Sequence, residues 1–178
     1  MPALSAALRR ARPDDAAALA ALKLATFRET FIDDFAVPYP PIDLAAFERA
    51  SYSPDVVAAE LANPDRATWV AEDGEGRLIG YAQVGPAKLP HPDVTPGAAE
   101  LYQIYILRDA QGSGLGRRLI DVALDHLAAT RPGPTWLGVW ESNHRAQAVY
   151  AARGFREVGS YSFMVGVWED RDLIYRRD

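Results

Sequence analysis

The chain has 178 residues, 49% apolar and 24% charged, with a formal net charge of −5 and no cysteine, which predicts one compact domain over residues 1–178 and excludes a disordered chain. Without cysteine there is no disulfide, thiolate metal site or cysteine nucleophile, and the negative balance speaks against non-specific nucleic-acid binding while mildly favouring a cationic small substrate. No run of about 18 apolar residues exists to span a bilayer, and Met1 to Arg12 lacks the basic-then-apolar pattern of a secretory signal, so the expected location is cytoplasmic, with no membrane partner.

Leu4 to Arg10 reads as a short first strand. Pro13, Asp14 and Asp15 open a helix that runs to about Thr30, since proline tolerates the first turn and carboxylates suit the positive helix end. Phe31 to Pro41 is a proline-bearing connection. Asp43 to Tyr52 and Ser53 to Ala62 are two short helices, the second opened by Ser53 as cap and Pro54 in the first turn. From Ala67 the period changes: Thr68 to Ala71 and Leu78 to Val84 flank Asp73-Gly74-Glu75-Gly76 as a hairpin. After a proline-rich loop from Pro86 to Gly97, Glu100 to Leu107 forms a strand. A glycine loop, a helix from about Leu115 to Thr130 and a strand from Thr135 to Trp140 follow. Asn143 to Arg153 is a helix stopped by Gly154, and Phe155 to Val167 and Asp172 to Arg176 are the final strands. The order predicts an α/β (α+β) fold, a mixed, mostly antiparallel sheet of about seven strands flanked by helices, in which one strand-helix-strand unit is parallel.

That unit carries Gln111-Gly112-Ser113-Gly114-Leu115-Gly116, followed by Arg117 and Arg118 in the first helical turns. Glycines let backbone approach an anion, successive amides form a nest, and the helix start adds partial positive charge, so a diphosphate suits the loop; a plain turn and helix cap is the other reading. A nucleotide P-loop needs Gly-Lys-Ser/Thr, which is absent, and the dinucleotide fingerprint needs glycine where Arg117 stands. His91, His126 and His144 lack metal-ligand spacing, so no metal is expected.

The loop resembles Gln/Arg-x-x-Gly-x-Gly/Ala, the pyrophosphate loop of the GNAT superfamily of N-acetyltransferases, matched by Gln111, Gly114 and Gly116. A second motif of that family, Asn and an alanine-rich helix ending in Tyr-x-x-x-Gly-Phe, is matched by Asn143, Ala146, Tyr150, Gly154 and Phe155. Within the family the chain is most similar to the PaiA-type spermidine/spermine N-acetyltransferases, through Thr26-Phe27, Thr30-Phe31, Ile104-Tyr105-Ile106, Trp136 to Glu141 and Ser162-Phe163. It departs from them at Tyr102 and Gln103, where that subgroup often has an acidic residue and an arginine.

The resemblance implies a GNAT fold, acetyl-coenzyme A as co-substrate and a small-molecule primary amine, such as a polyamine, as acceptor; a homodimer is the one assembly it leaves open. It implies cofactor contacts at Ile104, Tyr105 and Ile106, along Gln111, Gly112, Ser113, Gly114, Leu115 and Gly116, and at Arg117, Asn143 and Tyr150. Glu100 is the candidate base, because an alkyl amine with a pKa of about 10 must lose a proton before it attacks. Tyr150 is the candidate acid for the departing thiolate, Asn143 binds the pantetheine or caps its helix, and a backbone amide of the strand containing Ile104 holds the oxyanion. Tyr102 orients a water or lines the amine site. Phe27 and Phe31 pack the core or line the acceptor mouth, Trp140 and Tyr105 face the site, and Arg117 and Arg118 assist a phosphate or form a solvated face. The alternatives within this reading are an acetyltransferase of protein, peptide or antibiotic amines, and an acetyl-coenzyme-A-binding regulator with little catalysis.

Overall fold

The computed structural model describes residues 6–178. Leu4 and Ser5 of the expected first strand, and the start of the Met1 to Arg12 segment, lie outside the described residues. Among the described residues there are seven strands: β1 (Ala7–Arg10), β2 (Ala67–Glu72), β3 (Leu78–Pro86), β4 (Ala99–Ile106), β5 (Thr135–Trp140), β6 (Arg156–Val165) and β7 (Trp168–Arg177). They form one sheet in the order β1-β2-β3-β4-β5-β7-β6, antiparallel except for the β4–β5 pair. Helix α1 (Ala16–Phe27) continues as a π-helical turn over Arg28–Asp34; α2 (Pro41–Tyr52), α3 (Pro54–Ala62), α4 (Leu115–Thr130) and α5 (His144–Ala151) follow.

The α4 stripe shows why the glycine loop is held firmly. Leu115, Leu119, Ile120, Ala123, Leu124 and Leu127 recur at helical spacing and are all buried against Ala82, Val84 and Leu101 of the sheet, each large aliphatic contributing about 2 kcal/mol by leaving water. On the opposite face Leu19 and Leu22 of α1 and Val57 of α3 pack on Val70 and Tyr81. A third, aromatic cluster joins Phe27, Tyr39 and Tyr52 to Val165 of β6.

Three local departures from the sequence pattern shape the site. The expected helix to Thr30 and the connection after it become a π-helical turn, in which Phe35 donates to the Thr30 carbonyl at 3.0 Å. Thr26 and Thr30 turn their hydroxyls back onto Leu22 and Thr26 carbonyls at 2.9 and 2.8 Å, a competition with the regular ladder that favours widening. Strand β7 begins four residues before the expected Asp172, because Gly166 (φ 57°) closes a tight hairpin between Val165 and Trp168. Third, Gln83 pairs with Gln103 and Val84 with Leu101, which leaves Tyr102 as the extra residue of a β-bulge in β4.

Candidate active site

Strands β4 and β5 pair only through Ala99 with Thr135 and Glu100 with Trp136; beyond these they part, and β4 runs on to Ile106 along an open edge. The Leu107 amide donates to the Ile79 carbonyl on the β3 side at 2.9 Å. By strand alternation the amide and carbonyl of Ile104 and of Ile106 point the other way, into the gap, while those of Tyr105 point to β3. The side chains of Ile104 and Ile106 pack on the α4 core, and Tyr105 lies on the other face with its ring 6.0 Å from that of Tyr81.

At the end of this edge the glycine loop turns into α4. Gly112 (φ 79°) and Gly114 (φ 80°) are left-handed, and a Cβ added at either would meet nothing within 4 Å. Their outer side is therefore open to an incoming group. Gly116 answers a different demand, since a Cβ there would sit 3.1 Å from Ile106 Cδ1, where helix and strand pack closely. Leu115 anchors the loop from below as a buried core residue. Gln111 ties the loop to both neighbours: its Nε2 donates to the Ile106 carbonyl at 3.2 Å and its Oε1 accepts from Arg145 at 2.9 Å. Ser113 turns its hydroxyl onto the Ala110 carbonyl at 2.8 Å. Arg118 donates to the Ala6 carbonyl at 3.0 Å, whereas Arg117 is exposed and in no ion pair among the described residues. Open amides at a helix start beside a free guanidinium fit a diphosphate.

A cavity of about 170 Å³ opens where the two strands separate, and Glu100, Tyr102, Ile104, Tyr105, Asn143, Tyr150, Phe27, Phe31 and Trp140 all line it. Glu100 is 5% exposed; its Oε2 accepts from the Lys88 amide at 2.7 Å. Burial pushes its pKa up to about 7, against the lowering effect of that amide and the Lys88 and Arg66 charges. Tyr150 is half-buried, its ring edge-on to Phe155 at 6.0 Å, and burial pushes its hydroxyl up to about 12. Asn143 Oδ1 accepts from the Ala146 amide at 3.1 Å and so caps α5. Tyr102 donates to the Pro86 carbonyl, with Lys88 Nζ and Arg66 Cζ 4.5 and 5.0 Å from its ring centre. Phe31 and Trp140 meet edge-on at 5.9 Å, and Phe27 lies 5.2 Å from Phe31.

Further residues of this wall were not singled out by the sequence reading, among them Tyr39, Tyr52, Tyr161, Asp170 and Asp172. Asp170 and Asp172 share one face of β7, and Asp172 stands opposite Trp140 and Tyr161 in the strand register. Burial pushes Asp172 up to about 6. The alternation that marks them was available, but placing the strand start at Asp172 left Asp170 in an assumed turn.

Comparison with known proteins follows the same lines. The model of the acetyltransferase (GNAT) family matches residues 24–155. An uncharacterized N-acetyltransferase in the pepI 3′ region of Lactobacillus delbrueckii subsp. lactis is 29% identical over 154 residues, 86% of this chain and 88% of that protein. An uncharacterized N-acetyltransferase of Mycobacterium tuberculosis is 32% identical over 138 residues, 78% of this chain and 83% of that one. The fold superposes on the crystal structure of PaiA N-acetyltransferase from Thermoplasma acidophilum in complex with coenzyme A, with a TM-score of 0.76 at 18% identity, over 98% of this chain and 99% of that one.

Proposed function

The chain belongs to the acetyltransferase (GNAT) family, as an N-acetyltransferase that draws on acetyl-coenzyme A, and from that premise we propose that it acetylates a small cationic primary amine, with spermidine the first candidate and residues 1–178 acting as one catalytic domain. The observation that carries this reading is a single cavity, at the parting of β4 and β5, that joins Glu100 and Tyr150 to an aromatic and acidic wall. Such a wall favours a cation, by aromatic faces and uncompensated carboxylates together.

Acetyl-coenzyme A supplies the acetyl group as a thioester and accepts the proton that its thiolate needs on leaving. The amides from Gly112 to Gly116, with Arg117, hold its diphosphate, and the outward backbone groups of Ile104 and Ile106 hold its arm as a strand would. Glu100, with a pKa of about 7, takes a proton from the acceptor ammonium, directly or through water, near the pH at which a base is most effective. A β4 amide at the open edge meets the negative charge that develops on the acetyl oxygen. The Tyr150 hydroxyl, which has no hydrogen-bond partner among the described residues, donates the last proton. Asn143 keeps α5, and with it Tyr150, at the edge of the gap.

Coenzyme A release, followed as free thiol over a panel of polyamines, amino acids, peptides and aminoglycosides, tests this. Turnover with spermidine or another primary amine well above the buffer rate is the expected result. Release with a hydroxyl acceptor and with no amine would overturn the amine reading.

A further inference from the structure

The connection between β3 and β4, residues 87–98, is far longer than a hairpin needs, since about two to five residues suffice, and an ordered loop of this length is usually functional. Its course is fixed by its own backbone. Ala87 donates to the Ala98 carbonyl at 2.6 Å, Val94 to that of His91 at 3.1 Å and Ala98 to that of Thr95 at 3.0 Å. Leu89 is the first anchor: it is 7% exposed and packs with Trp136 of β5 and Ile174 of β7. Trp136 is the neighbour of Glu100 in the β4–β5 pairing, so this anchor stands beside the candidate base.

His91 is the second anchor, with both ring nitrogens engaged. Nδ1 accepts from the Asp93 amide at 3.1 Å, which leaves the proton on Nε2, and Nε2 donates to the Val158 carbonyl at 3.2 Å. Val158 is the extra residue of a bulge in β6, between Glu157 and Gly159. The His91 ring lies 5.0 Å from that of Trp136, and a Cβ at Gly159 would stand 3.2 Å from its Cδ2, so the ring packs on β6 where the strand carries no side chain. Held at these two points, the loop presents the Lys88 amide to Glu100 Oε2 at 2.7 Å, and the next amide, that of Leu89, pulls the same way. Glu100 Oε1 has no hydrogen-bond partner among the described residues and is not sealed from solvent.

We infer that Leu89 and His91 are positioning residues that act through Glu100: by fastening the 87–98 loop to β5, β6 and β7 they hold the Lys88 amide on one carboxylate oxygen and leave the other for the acceptor. This rests on the proposed role of Glu100 and adds the residues that set it. An amide donor favours the charged carboxylate, whereas burial disfavours it. Loosening either anchor withdraws the donor, and Glu100 then stays protonated to higher pH. The other groups that face Glu100 are the Lys88 and Arg66 charges, Tyr102 of β4 and Tyr161 of β6; Leu89→Ala and His91→Ala keep all four side chains. His91 is itself ionisable, so Leu89→Ala, which removes no such group, is the reference variant.

The test is a direct titration of Glu100 by NMR in the full chain, labelled with carbon-13 at the glutamate carboxyls and assigned through Glu100→Gln, alongside the pH dependence of kcat/KM with spermidine. Leu89→Ala and His91→Ala should each raise the Glu100 midpoint by about half a pH unit. Lys88→Pro, which deletes the amide donor, should raise it by about one unit more than Lys88→Ala, which deletes only the side chain. The acid limb of kcat/KM should move with the midpoint, so that activity on that limb falls about three- to tenfold and converges on the parent at high pH. Added to Glu100→Gln, Leu89→Ala should change turnover by less than about twofold, because its effect runs through the missing carboxylate. A midpoint that stays put in both Leu89→Ala and His91→Ala overturns the proposal, whatever the turnover. If the midpoint moves while no amine turns over, or while the acid limb stays, the loop's hold on Glu100 stands and the reading of Glu100 as the base falls.

Discussion

Glu100 and Tyr150 are ordinary residue types given unusual surroundings. For Glu100 the cause is burial, which outweighs the Lys88 amide and the Lys88 and Arg66 charges that oppose it, and the sign of its effect on stability follows. Its folded pKa of about 7 lies above the ordinary 4.5, so folding favours the protonated form. The favourable contribution is complete below about pH 4.5 and is lost as pH rises through about 7, a swing of about 3 kcal/mol. Chemical denaturation of the ligand-free protein should therefore show Glu100→Gln gaining on the parent between pH 5 and pH 8. Asp172 works in the same direction in both proteins and cancels from the comparison. In turnover the same variant should be most impaired at low pH, where little acceptor is neutral, and recover toward the amine's own pKa; a defect flat with pH would make Glu100 a substrate anchor. Tyr150→Phe keeps the packing on Phe155 and removes only the hydroxyl. Acetyl-coenzyme A affinity should hold while turnover falls by roughly 10- to 1000-fold. Turnover at the parent rate, with chemistry shown to limit it, would make Tyr150 a packing residue.

Among the elements, the glycine loop depends on backbone shape more than on side chains. Gly114 is left-handed with empty space beyond its Cβ position, so Gly114→Asp introduces mild conformational strain and a carboxylate facing the diphosphate, without a clash. Calorimetry should show acetyl-coenzyme A binding weakened by more than about tenfold, which is about 1.4 kcal/mol, with the fold retained. The same strain confined to stability, with cofactor binding unchanged, would move the diphosphate elsewhere. This loop was legible because left-handed glycines, a helix start and a strand end are demands met within a few consecutive residues. The π-helical turn was not, because threonine back-bonds only loosen the ladder, and the wider turn also brings Phe31 and Phe35 onto Trp140, a residue more than a hundred positions away. Arg108 then fastens that turn to the start of the loop, donating to Asp34 at 2.7 Å and to the Glu29 carbonyl at 3.3 Å. The π-helical turn of the cavity wall and the glycine loop are thus tied together.

For the whole molecule, the widely shared binding surface predicts a large response to the cofactor. Saturating acetyl-coenzyme A should raise the melting temperature by mass action, with about 2.7 kcal/mol gained at a hundredfold excess over Kd, and NAD or ATP should not match it. No shift and no calorimetric binding would remove the cofactor from this cavity. No helix among the described residues is long and apolar enough to cross a membrane. By itself the sequence determined the parallel strand-helix-strand unit, the glycine loop within it and the spacing from Asn143 to Gly154, because capping, positive φ and helix starts are local requirements that short windows record. Only the tertiary structure decided the wall of the cavity. Tyr39 and Asp170 are 131 residues apart in sequence, and they meet because β7 inserts between β5 and β6. The gap that receives them exists because β4 and β5 part after two residue pairs, and non-local pairing of this kind leaves no periodic trace in the chain.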